Sequence, residues 1–353
     1  MRLLRAESWT PSLIRTTLGN FLLDSVTQAV LGATVAGAIA GKRCNGKILL
    51  AGAALGTLPD LDVLINYGND INNVIKHRGF SHSLFVLSVF SLVLAAAIHR
   101  LKPIANFSFI RLFALISAAL ITHPLLDYFT TYGTQLLWPM QGYFSASSIF
   151  IIDPAYTLPL IIALLYIRSD KSRARKPTVI ALTISSLYLG WGVIAKQIIH
   201  ERAIISLTNA GISTDKIFIT PTALNTLLWR IVVIDGTTYW EGDSSFLDND
   251  SAITFTQYHR NQWPLPQQSK LLDAYLVFTG DIVRYREENN RLIVSDLRMG
   301  LPNQSAFEFE FARRDTNNDW QPILPTRYES GPLDINFNAF LNRIAGNKPK
   351  PVD

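Results

Sequence analysis

Up to about residue 199 the chain alternates long apolar runs with short polar loops; beyond it, apolar and polar positions alternate nearly one for one. A hydrocarbon layer about 30 Å thick takes roughly 20 apolar residues in a helix. "TVIALTISSLYLGWGVIAKQII" (178–199) meets that length outright. "IFIIDPAYTLPLIIALLYI" (149–167), "FSHSLFVLSVFSLVLAAAIH" (80–99) and "FIRLFALISAALITHPLL" (109–126) meet it with their polar ends at the interface. These runs predict four spans. "VTQAVLGATVAGAIAG" and "KILLAGAALGTL" are shorter and rich in Gly and Ala, which suits two closely packed small-residue helices or a re-entrant hairpin.

Past residue 200, "KIFITPTALNTLLWRIVVIDGTTYWEGD", "AITFTQY", "AYLVFTGDIVRYREENNRLIVSDLR" and "AFEFEFARR" read as strands with Asp-Gly and "ENN" turns. "HERAIISLTNAGI" reads as a linking helix that continues the last span, and the tail "GNKPKPVD" as disordered. The expected architecture is an α-helical polytopic membrane domain over 24–199, followed by a mainly β soluble domain over 200–353.

Charge orients the helices, because lysine and arginine favour cytoplasmic loops. "RSDKSRARK" (168–176), "HRLK" (99–102) and "GKRCNGK" (41–47) are the basic loops. Placing them inside puts Asp24, "LPDLD", "HRGFSH", "HPLLDYF" and Asp153 together at the opposite, outer face of the membrane, with the β domain beyond them. The net charge of +5 is scattered or flanks apolar runs, which gives no reason to expect nucleic acid. The single cysteine, Cys44, excludes a disulfide framework or a cysteine-cluster zinc site.

The chemistry gathers at the outer face. His123 and Asp127 stand at i and i+4, on one helical face. "HRGFSH" supplies His77 and His82, with Gly79 permitting a turn that brings both imidazoles inward. "LPDLD" supplies Asp60 and Asp62. Imidazole nitrogen with carboxylate oxygen suits zinc first, and also manganese or iron. The plainer alternatives are interfacial caps for His77 and His82 and a metal-free hydrogen-bonded pair for His123 and Asp127. Asp24 and Asp153 could serve as helix N-caps. Tyr128, Tyr132 and Trp138 read as an aromatic belt, and His99, His200 and His259 as interfacial or surface residues.

"DSVTQAVLGA", "GTLPDLDVL", "HRGFSHSL" and "HPLLDYFTTYGTQLLWP" resemble, in order and spacing, the motifs of the YdjM-like family of membrane-bound metal-dependent hydrolases, from about Asp24 to Ile199. The resemblance implies Asp60, His77, His82, His123 and Asp127 as ligands of a divalent metal. Where the family's first motif commonly ends in His, this chain has Gln28, a poorer ligand. The family commonly starts just before the Asp-Ser pair, at a position that is Leu23 here, so residues 1–23 are expected to be an extension upstream of the true start. The expected function is a hydrolase acting on a phosphoester or on a lipid or lipid-linked substrate in the bilayer, with Asp62 as general base and Arg78 stabilising negative charge. The alternative is a non-enzymatic membrane protein with a structural or ion-binding cluster, whose β domain binds a protein partner of unknown identity. A transporter fits less well, because the charged residues gather at one face rather than at mid-span.

Overall fold

The computed structural model describes residues 11–103, 107–265, 269–302, 304–329, 331 and 336–348, with side chains from residue 25 onward. Residues 1–10 of the expected extension and 349–353 of the expected tail lie outside the described residues.

The N-terminal region is helical: α1 (Pro11–Ala40), α2 (Gly46–Thr57), the short α3 (Asp70–Lys76), α4 (Leu84–Leu101), α5 (Phe109–Tyr128), α6 (Pro154–Tyr166) and α7 (Arg175–Ala210). Among the described residues, α4, α5 and α7 are long and apolar enough to cross a membrane. The fourth expected span is cut short. Asp153 caps α6 by accepting from Ala155 N, and Pro154 opens the helix. Its 13 residues reach only about 20 Å, and residues 149–153 stay outside it. Position 24, expected as a helix N-cap, falls inside α1, which already starts at Pro11.

The small-residue pair is a tight antiparallel contact. A Cβ built on Gly32 would stand 2.2 Å from Gly52 O, one on Gly52 2.5 Å from the Ala36 Cβ, and one on Gly56 2.5 Å from Gln28 O. Only glycine lets α1 and α2 approach this closely.

At one end of the helices the basic loops adjoin, with Gly41 against Arg175 and Gly46 against Lys171. The segments carrying Asp60, His82, His123 and Asp127 lie at the other. α7 continues past the apolar run as the expected linking helix and ends at Gly211, in the left-handed region at φ 67°.

The C-terminal region consists of antiparallel sheets. One has the order β1 (Lys216–Pro221), β2 (Leu228–Asp235), β3 (Thr238–Ser245), β4 (Phe255–His259). The other contains β5 (Val283–Glu288), β6 (Arg291–Asp296), β9 (Glu308–Arg314) and β10 (Trp320–Arg327), in the order β10-β9-β6-β5. A two-stranded ribbon, β7 (Gly300–Leu301) with β8 (Gln304–Ser305), lies between β6 and β9 in the chain. The "ENN" turn joins β5 to β6 with Asn289 and Asn290 at positive φ. "AYLVFT", expected in a strand, instead lies in the helix α8 (Lys270–Thr279), which Ser269 caps and Gly280 ends; its Leu272, Tyr275 and Phe278 form one buried face. The last element is α9 (Phe337–Ile344).

Two apolar interfaces join the regions. Ala195, Ile199, Ala203 and Leu207 of α7 pack against Ile219, Trp229, Ile231 and Val233 of the first sheet. Ile71 and Ile75 of α3 pack with Tyr275 and Phe278 of α8 and Phe309 of the second sheet. The second interface fixes α3, and α3 leads directly into "HRGFSH".

Candidate metal centre

Three segments meet at the end of the helices away from the basic loops. Asp60 and Asp62 sit in a 3-10 turn, Pro59–Leu64, that follows α2. His82 lies in the next such turn, Phe80–His82, and the side chain of Ser83 then caps α4. His123 and Asp127 are one turn apart near the end of α5.

Asp60, His82, His123 and Asp127 converge, with ligand atoms all within 4.8 Å of one another. The two imidazole Nε2 atoms are 3.1 Å apart. Asp60 Oδ1 is 3.3 Å from His82 Nε2 and 3.2 Å from His123 Nε2. Asp127 Oδ2 is 3.2 and 3.3 Å from the same two atoms. These are five of the six edges of a tetrahedron, and a regular one with edges near 3.2 Å would have its centre about 2.0 Å from each corner, which is the zinc–nitrogen and zinc–oxygen bond length. Exposure is 3% for Asp60, 0% for both histidines and 1% for Asp127.

The surrounding bonds fix the protons. His123 Nδ1 lies 2.6 Å from Gly56 O, and a carbonyl only accepts, so Nδ1 carries the hydrogen and a neutral ring leaves Nε2 bare. His82 Nδ1 is 2.9 Å from Ser81 Oγ, whose own hydrogen goes to Asp62 Oδ2 at 2.6 Å. Nδ1 is therefore the donor there too. Both Nε2 lone pairs and two carboxylate oxygens then face one point, and Asp127 Oδ2 is buried without a hydrogen-bond partner. Four acceptors around one point repel unless a cation or protons stand between them. Burial raises the Asp60 carboxyl, but His123 and His82 outweigh it and hold the group well below the usual carboxylate range.

The remaining expected site residues surround the four rather than join them. His77 is a correction to the five-ligand set: its Nδ1 meets Asp62 Oδ1 at 2.8 Å, outside the convergent group. The turn between His77 and His82 runs through Arg78 at φ 60°, and Gly79 packs so closely that a Cβ would stand 2.7 Å from Lys76 O. This geometry sets His77 directly on Asp62 Oδ1, while His82 reaches Asp62 through Ser81 and turns its Nε2 to the convergent group. Asp62 also accepts from Arg78 N at 2.9 Å, and burial notwithstanding, His77 and His82 hold its carboxyl below the usual range. Arg78 is buried, with Nη2 3.3 Å from Asp127 Oδ1 and Nη1 donating to Thr130 Oγ1. Tyr132 is no belt residue: it donates to Val74 O, and its ring meets His77 and Phe278.

Gln28 stands beside the centre and donates to Asp127 Oδ1 at 3.1 Å. Sequence reasoning passed over Ser81 and the Gly56 carbonyl. Ser81 had a signal, as the residue before His82; the carbonyl had none, because only the α1–α2 packing aims it at His123.

A match to the YdjM inner membrane protein family covers residues 23–199, which includes every residue of this centre. The chain belongs to that family. The inner membrane protein YbcI of Escherichia coli (strain K12) is 33% identical over 143 residues, covering 38% of this chain and 81% of YbcI. YfhP of Bacillus subtilis (strain 168), named an uncharacterized protein, is 24% identical over 232 residues, 63% of this chain and 68% of YfhP. No solved structure matches the chain.

Proposed function

We propose that the chain is a multi-pass inner-membrane hydrolase that depends on one divalent metal, zinc by preference, held by Asp60, His82, His123 and Asp127. The observation that carries the metal is the convergence of four acceptor atoms whose tautomers are fixed from outside by Gly56 and by the Asp62–Ser81 pair. Such outer partners are what metal-binding histidines require. Bound there, the ion would supply a Lewis acid and a water of lowered pKa.

The chain's own residues furnish the rest. Asp62 keeps the hydrogen of His77 on Nδ1, which makes Nε2 of that one-fifth-exposed ring the proton acceptor nearest solvent, so Asp62 works as base through His77. Arg78 offsets the charge of Asp127 and brings positive charge to the place where an anionic phosphoester would approach. A bilayer-borne, lipid or lipid-linked substrate is favoured by the collar of exposed Leu61, Leu64, Phe80, Trp138 and Met140 on the turns around the centre.

The second reading, a structural metal in a non-enzymatic protein, draws on the closure of the site, since four protein ligands without an open position are typical of structural zinc. Activity separates the two. Purified protein should hydrolyse at least one member of a panel of phosphoester and carboxylester amphiphiles. A chelator should abolish this, and so should His77→Ala with its metal retained. Retained metal with no hydrolysis across the panel would establish the structural reading.

A further inference from the structure

α9 is built inside out for a surface helix. Its Phe337, Phe340, Leu341 and Ile344 recur at the spacing of one helical face, and that face is open on its Phe337 and Leu341 side, 59% and 47% exposed, with Phe340 and Ile344 half-buried. What holds the helix to the protein is polar. Arg343 is buried and pairs with Asp243 and Asp248, and Ile344 O accepts from Ser245 Oγ. A helix docked by its charge with its apolar face outward is suited to a lipid interface.

Its neighbours share this character. The tip of the β3–β4 hairpin, to which α9 is anchored, exposes Leu247 by 52%. The β1–β2 tip exposes Leu224 and Leu227. Asn225 holds that tip rigid by accepting from Leu227 N and Leu228 N, and Leu224 is kept at φ 65°. Residues other than glycine rarely adopt that conformation.

Both tips sit on α7 within its apolar run. Thr226 Oγ1 accepts from Trp191 Nε1 at 3.1 Å, and Phe246 packs on the Trp191 ring at 5.4 Å. Trp191 belongs to the exposed stripe Leu187, Trp191, Ile194, Ile198. That stripe runs about 10 Å beyond Trp191, away from the basic end. A hydrocarbon layer covering the stripe also reaches both tips.

We propose that the β region is seated in the lipid leaflet at the metal-bearing end of the helices, through the outward face of α9 and the tips at Leu224 and Leu247. The occupant is the bilayer that carries the spans, because the patch is continuous with their lipid-facing surface. Seating the β region here also anchors both apolar interfaces that frame the centre, independently of what the centre catalyses.

The test places single cysteines at Phe337, Leu341 and Leu247, and at Val277 as a control. Val277 is exposed beside the charged Lys216, Arg260 and Asp281. Cys44 stays in place, being buried, and the native protein gives the labelling background. Each variant carries a small fluorophore and is reconstituted into phosphatidylcholine–phosphatidylglycerol vesicles. Lipids with a nitroxide near the headgroup should quench the three test sites several-fold more than Val277, and aqueous iodide should do the reverse. Iodide quenching equal to that of Val277 would overturn the proposal. So would shielding from both quenchers, which would mean that protein covers the patch. These exposed positions tolerate cysteine, and a variant is scored only if its metal content matches that of the native protein or, should the native protein hold none, if its elution profile does.

Discussion

Ser81 does the least conspicuous work at the centre. Its hydroxyl gives its hydrogen to Asp62 and so obliges His82 to carry its proton on Nδ1, away from the other three ligands. Ser81→Ala removes the constraint without removing a ligand. Outer partners of this kind are worth about 10–100-fold in metal affinity, so competition titration with a fluorescent chelator should show a loss of that size in Ser81→Ala with the fold intact. An unchanged affinity would show that His82 keeps its tautomer unaided. Four of the five residues expected at the centre do come together, and residue type made them legible, with helical spacing adding that His123 and Asp127 share a face wherever α5 lies. His77 could not be told from His82 because sequence shows which residues are near in the chain and not that one imidazole will turn to Asp62 and the other to Asp60 and His123. That choice is made by the left-handed backbone of Arg78 and the close packing of Gly79.

The elements behind the centre are held by glycine. α1 and α2 touch where Gly32, Gly52 and Gly56 leave no room for a Cβ, and the same contact aims Gly56 O at His123. Gly52→Val adds atoms where the Ala36 Cβ would already be 2.5 Å away. Overpacking of this kind costs about 1–3 kcal/mol. Gly52→Val should therefore lower the unfolding midpoint in detergent and also weaken metal binding, because the helices can only separate by moving the carbonyl. A lowered midpoint with undiminished metal affinity would uncouple the packing from the centre. The small-residue pair could be read directly, since few structures other than close helix packing use so many Gly and Ala in an apolar run. α6 and α8 could not. Composition makes 149–167 long enough for a span, yet the cap at Asp153 and the proline after it delay the helix to residue 154. "AYLVFT" has strand-like residues, but its Tyr275 and Phe278, with Leu272 just before it, are needed at helical spacing to bury α3.

At the scale of the molecule, the basic loops lie at one end of the helices and the segments carrying Asp60, His82, His123 and Asp127 at the other, where both sheets dock. If the basic end faces the cytoplasm, an alkaline phosphatase fused after Asp353 should be active, and one inserted near Ser172 inactive. The reverse pattern would turn the molecule over in the membrane while leaving the centre at the end it shares with the β region. The division into helices and then sheets was legible from hydropathy alone. The docking of α3 onto α8 and the second sheet was not, because α3 is only seven residues long and its two buried isoleucines form no periodic run.

The proposed function depends on one cation satisfying the four buried acceptors. Elemental analysis of the protein purified in detergent without added chelator, alongside His123→Ala, tests this directly. Expected is one zinc, manganese or iron per native chain, and none in His123→Ala that still inserts and elutes as the native protein does. A native chain that is folded and free of metal, or a His123→Ala variant that keeps its full complement, would contradict the metal centre and leave the four residues as a protonated, hydrogen-bonded cluster.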